Sequence, residues 1–324
     1  VKKQLYFSFV LATLSFIATR ALQDVGFQYF YEEKANNFHK EEGELVTSAP
    51  LTIYSLPMGL SYLEDMNFID STSIIGKDEN GNVLFVNFQT GISSRRNLLN
   101  SENKLIDIAK VDSVYFLFDD ANQLHVVKQE LDTFSLVSTH EINNSVKPVS
   151  VCLHENTKRI LFLNEAVEHE DGTFSSSIYG MTTNSKVFRE KPVFEIHPEE
   201  IENYALENNI ILPLIPDSET GKSVERLAFH ATSISVHPKT NEIYVLSDTD
   251  HSIAIFNQFG EVVGFFVLNP MQFGQPKSLS FQPNGDLLIS TCFGSNCNIA
   301  KVSWKKMNAK KANQNALLEA LTKH

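Results

Sequence analysis

Cysteine is scarce in this chain: three residues in 324 rule out a dense disulfide framework. No Cys-x-x-Cys pair and no Cys/His spacing fits a zinc site. Catalytic signatures are missing as well, with no Gly-x-Ser-x-Gly elbow, His-Glu-x-x-His helix, Walker loop or dinucleotide fingerprint, so hydrolysis through a Ser/His/Asp triad has no support. Basic residues are few, 27 against 39 acids, a formal net charge of −12. That balance makes nucleic acid and anionic lipid poor partners. After the first twenty residues no apolar run is long enough to span a bilayer.

The N-terminus reads as an export signal. Lys2 and Lys3 form a basic start, residues 5–18 are apolar but short for a span, and Thr19-Arg20-Ala21 offers small residues for cleavage after Ala21. No cysteine follows to carry a lipid anchor. The expected product is therefore an exported protein, periplasmic or secreted, with no integral span once residues 1–21 are removed, and an extension over residues 22–44.

What is present is a repeat. Between residues 230 and 293 one pattern occurs twice: alternating strand, Pro/Asn/Gly turn, apolar strand. In the first copy Ile234 and Val236 alternate with serines, His237-Pro238-Lys239-Thr240-Asn241 turns, and Ile243-Tyr244-Val245-Leu246 is a buried run. In the second, Leu279 and Phe281 lead through Pro283-Asn284-Gly285-Asp286 to Leu287-Leu288-Ile289. Weaker copies lie upstream. Gly59-Leu60-Ser61-Tyr62-Leu63 leads to Ile74-Ile75 and, past Asp78-Glu79-Asn80-Gly81-Asn82, to Val83-Leu84-Phe85; Leu105-Ile106-Asp107 leads to Val114-Tyr115-Phe116; Val149 leads through Cys152 to Ile160-Leu161. A spacing of about 40–50 residues matches four-stranded blades. The sequence predicts an all-β chain, a β-propeller of five or six four-stranded blades over residues 45–305, its ring closed by an N-terminal strand near Leu51-Thr52-Ile53-Tyr54. Residues 197–229 break the period and read as an insert or a degenerate blade, opening with a short helix at Pro198-Glu199-Glu200. Residues 306–324 form a tail.

The runs ATSISVHPKTNEIYVLS and QPKSLSFQPNGDLLIS resemble the C-terminal signature of the bacterial SdiA-regulated β-propeller family, whose blades are related to the NHL type. The resemblance implies an exported propeller and no established reaction. Members tend to place a glutamate at the start of several innermost strands, where a ring of carboxylates would hold a hard cation such as Ca²⁺. Here the equivalent positions are Ile106, Val149 and Lys277, two aliphatics and a base, so the resemblance implies that a family metal site is lost or altered.

Other clusters have two readings each. Glu165, Glu168, His169 and Asp171 gather carboxylates around an imidazole and are the best remaining cation ligands; the plainer reading is a solvated acidic loop. Asp78 to Asn82 resembles a fragment of a calcium loop, yet it lacks the distal Glu and reads as a hairpin turn. His237 before Pro238 reads as a turn histidine, and Cys152 as a small core residue. Cys292 and Cys297 flank a hairpin tip within reach of a disulfide. The leading expectation is a non-catalytic binding or scaffolding module with a protein or glycan partner in the cell envelope and no cofactor. The alternative is a Ca²⁺-type phosphoesterase or lactonase-like hydrolase using the channel.

Overall fold

The computed structural model describes residues 51–303 apart from 57–62, 79, 100–102, 132, 143–145, 170–173, 217–222 and 294–295. The signal and extension of residues 1–44, the first residues of the expected propeller at 45–50, the 59–62 run, Glu79, Asp171 and the 306–324 tail lie outside these residues.

The fold is a five-bladed β-propeller. Chain order begins with β1 (Leu51–Ser55), held back for the last blade. Blade 1 is β2 (Glu64–Asp70), β3 (Ser73–Lys77), β4 (Val83–Asn87) and β5 (Ser93–Arg96). Blade 2 is β6 (Leu105–Val111), β7 (Val114–Asp119), β8 (Gln123–Glu130) and β9 (Thr133–Glu141). Blade 3 is β10 (Pro148–His154), β11 (Arg159–Asn164), β13 (Phe174–Thr182) and β14 (Phe194–Ile196), with the two-residue β12 (Val167–Glu168) paired to β13. An insert follows, α1 (Pro198–Glu207) and the hairpin β15 (Leu214–Pro216) with β16 (Ser223–Glu225). Blade 4 is β17 (Ala231–Val236), β18 (Ile243–Ser247), β19 (Ser252–Phe256) and β20 (Val262–Val267). After α2 (Pro270–Phe273), blade 5 is β21 (Gln275–Phe281), β22 (Leu287–Phe293) and β23 (Asn296–Val302), completed by β1, whose Ile53 pairs with Ala300. One strand from the start of the chain thus seals the ring and leaves β23 no open edge.

Alternation dictates the core. Each strand turns successive side chains to opposite sides of its sheet, so a sheet between two others must be apolar on both. Five apolar clusters result, each joining two neighbouring blades. Phe118 of blade 2 meets Phe162 of blade 3 edge-on at 4.7 Å, and Tyr244 of blade 4 meets Phe281 of blade 5 at 4.8 Å. Burying each such ring contributes about 2–3 kcal/mol.

The first blade departs from expectation. Its innermost strand is Glu64–Asp70, and of the expected run at 59–63 only Leu63 is described. Acids at both ends of EDMNFID hide its alternation in the sequence.

Candidate functional site

Strands β2, β6, β10, β17 and β21 pack side by side around the ring axis and line the central channel. Each runs in the same sense along it. The connections into these strands and the second-to-third-strand loops therefore share one end of the ring. The first-to-second and third-to-fourth turns share the other.

At the first end every innermost strand carries a register shift near its start, at Asp65, Ile106, Val149, Thr232 and Lys277. The shared bulge twists each strand away from its partner. Ile106, Val149 and Lys277 are half-buried there. The next residue in four of the strands is Asp107, Ser150, Ser233 or Ser278, all buried. Three of these tie one blade to the next. Asp107 Oδ2 accepts from Val151 N at 2.5 Å and from Ser150 Oγ at 3.1 Å; Ser150 Oγ accepts from Ile234 N at 3.3 Å; Ser233 Oγ accepts from Leu279 N at 3.2 Å. Between blades 1 and 2 the Asn67 side-chain amide donates to Ile108 O instead. The bulge frees an amide from its own sheet, and the neighbouring blade supplies the acceptor.

The carboxylates of this belt are Asp65 and Asp107. Lys77 pairs with Asp65 at 3.2 Å, both nearly buried. Burial holds the Asp107 carboxyl well above the usual range, and the Asp65 charge adds to it; amide donors and Lys77 pull the other way. Asp107 stands one place on from Ile106, a position the resemblance marks. Sequence reading missed both acids, although a small polar residue in IDI, VSV, TSI and KSL is the signal that would have found the belt.

The loops at this end hold the other marked residues. His169 Nε2 bonds Ser175 Oγ at 2.7 Å, and Glu165 and Glu168 are exposed on the same blade 3 loop. Among the described residues no three His, Cys, Asp or Glu side chains gather as metal ligands. Asp78 Oδ1 accepts from Asn80 N and Asn82 N, both at 2.9 Å, which makes that segment a side-chain-stapled turn. Cys292 and Cys297 are joined in the blade 5 hairpin, their Cα atoms 4.1 Å apart. In blade 4, Asp250 accepts from Ala228 N at 3.2 Å, and burial raises its pKa to about 6. Exposed Val167, Phe174, Met271 and Phe293 stand at this end, in the short elements and strand ends that border its loops.

At the opposite end the innermost strands finish in turns. His237 Nδ1 accepts from Lys239 N at 3.3 Å and Thr240 N at 3.1 Å, so the imidazole is neutral and organises its turn; burial lowers its pKa. Cys152 is a buried thiol whose pKa burial pushes up. A cavity of about 500 Å³ opens among the turns of blades 1, 2, 3 and 5.

Comparison with protein-family models and with curated proteins finds no match. Among solved structures the chain is similar to the glutaminyl cyclase of Myxococcus xanthus, at 9% identity over 78% of this chain and 95% of that one, TM-score 0.49. It is also similar to a streptogramin B lyase, at 9% identity over 78% and 97%, TM-score 0.43. A third is the WD40 β-propeller domain of Doa1, at 10% identity over 79% and 98%, TM-score 0.44. The chain's own five blade sheets define it as a propeller.

Proposed function

We propose that this chain is an exported, non-catalytic binding propeller that takes a protein or glycan partner of the cell envelope on the loop-rich end of its ring. The observation that carries this reading is the set of exposed apolar side chains there, Phe174 and Phe293 with Val167 and Met271, around a channel mouth whose carboxylates are engaged by the fold. Aromatic anchors on loops held by a rigid scaffold are what recognition needs. The test is photo-crosslinking from position 293 in the producing cell, together with a glycan array probed with native protein and with F174S/F293S. Capture or array binding that the double substitution reduces at least tenfold is the expected result. Native protein that gives neither signal overturns it.

One observation favours a second reading, a Ca²⁺-type phosphoesterase or lactonase: Asp65 and Asp107 are close enough for one charge to raise the other's pKa. Melting in excess Ca²⁺ and in chelator separates the two. On the binding reading neither changes the transition; a true site at a hundredfold its Kd adds about 2.7 kcal/mol.

A further inference from the structure

The third-to-fourth-strand turns of blades 1 to 4 lie on the cavity-bearing end, and each presents a large apolar side chain. Ile92 is 71% exposed, Leu131 94%, Val187 60% and Phe259 74%. Turn tips are ordinarily polar, and packing explains none of these. Leu131 is the sharpest case: it sits at φ 55°, in the left-handed region that favours Gly or Asn, yet the chain places a bulky aliphatic there, in water. Phe259 precedes Gly260, which sits at φ 87° and whose missing Cβ leaves room for Phe194.

We propose that this end of the propeller rests on a zwitterionic lipid surface, with Ile92, Leu131, Val187 and Phe259 as the side chains that enter the headgroup boundary. The tips belong to four different blades and stand apart, flanked by polar turn residues such as Gln89, Glu130, Lys186 and Asn257. A protein interface needs one contiguous core, whereas a lipid boundary deforms around separate side chains. Charge selects the lipid. The chain as a whole is acidic, and the cavity at the centre of this end mixes Lys110 and Lys158 with Asp70, Asp112 and Glu155. Among the described residues these five form no ion pairs with one another. Such a mouth complements a headgroup that carries both a phosphate and a quaternary ammonium, and gives no preference for anionic lipid.

The test uses the full chain with L131C carrying an environment-sensitive dye. Cys152 is buried and Cys292 is bonded to Cys297, so the new thiol is the accessible one among the described residues. Phosphatidylcholine vesicles should shift the dye's emission to the blue, in low and in high salt alike. The same dye on M271C, at the other end of the ring, should not respond. Any apolar segment elsewhere in the chain that binds vesicles would not produce this contrast. In co-sedimentation, I92S/L131S/V187S/F259S should lower vesicle partition by about tenfold or more, since each loses an apolar anchor. All four side chains are already exposed, so the fold should survive, and the dye experiment decides the matter if it does not. A dye at 131 that ignores phosphatidylcholine, responds only to anionic vesicles at low salt, or shifts only when a protein partner is added overturns the proposal.

Discussion

Asp107 is the side chain on which two blades meet. Its carboxylate accepts Val151 N from blade 3 and Ile108 N from its own strand, the latter at 2.6 Å, so truncation leaves buried amides unpaired. D107A should lose about 3 kcal/mol in urea unfolding, and D107N distinctly less, because an amide oxygen still accepts and the repulsion from Asp65 is gone. Asp250 makes a pH prediction. Its folded pKa, about 6, lies above the unfolded value of 3.8, mainly through burial, with Asp248 also raising it and Ala228 N, Ser247 and His230 lowering it. The native state therefore holds the proton more tightly. The stabilisation is complete below pH 4 and is lost as pH rises through 6, about 3 kcal/mol in all. His154, His237 and His251 have lowered values and act in the opposite sense, losing stability as pH falls below 6.5. Their contribution is common to native and D250N protein, so the difference between the two stability curves isolates Asp250: from pH 4 to 7 the native chain should lose about 3 kcal/mol relative to D250N.

At the scale of elements, the turns are where local chemistry and tertiary demand coincide. The Cys292–Cys297 bridge closes a loop with a sequence separation of 5, too short to remove much unfolded-state entropy. C292S/C297S should cost about 2 kcal/mol, read as a lower melting temperature that reducing agent reproduces in the native chain. The blades of the C-terminal half were plain in the sequence because both faces of β18 and β22 are buried, so that Ile243 to Leu246 and Leu287 to Ile289 read as apolar runs. Blade 1 was harder. Asp65 of EDMNFID serves the channel belt and Asp70 accepts from Thr72 in the turn that follows, and this local use of polar residues overrides the period that marks a strand.

On the scale of the whole molecule, closure is the feature that makes five sheets one cooperative body. β1 pairs with β23 along its whole length, from Leu51 with Val302 to Ser55 with Asn298. A chain beginning at residue 45 should melt in a single transition. One beginning at residue 57 should open blade 5, melt roughly 10 °C lower or in two steps, and aggregate through the exposed edge, as followed by calorimetry and light scattering.

The sequence by itself determined most of the strands, the innermost of blade 1 excepted, together with the turns, the repeat and the ring-closing role of the first strand, because period-two alternation and turn residues are local properties that each stretch of chain states alone. Asp78 and His237 were readable as turn residues for the same reason. Only the tertiary structure decided that the blades number five, that Asp107, Ser150 and Ser233 form an inter-blade belt, and that Ile92, Leu131, Val187 and Phe259 share one end. Those relations hold between residues some 40 to 80 positions apart, and no local pattern encodes them. They exist only once ring closure sets each strand beside its neighbour.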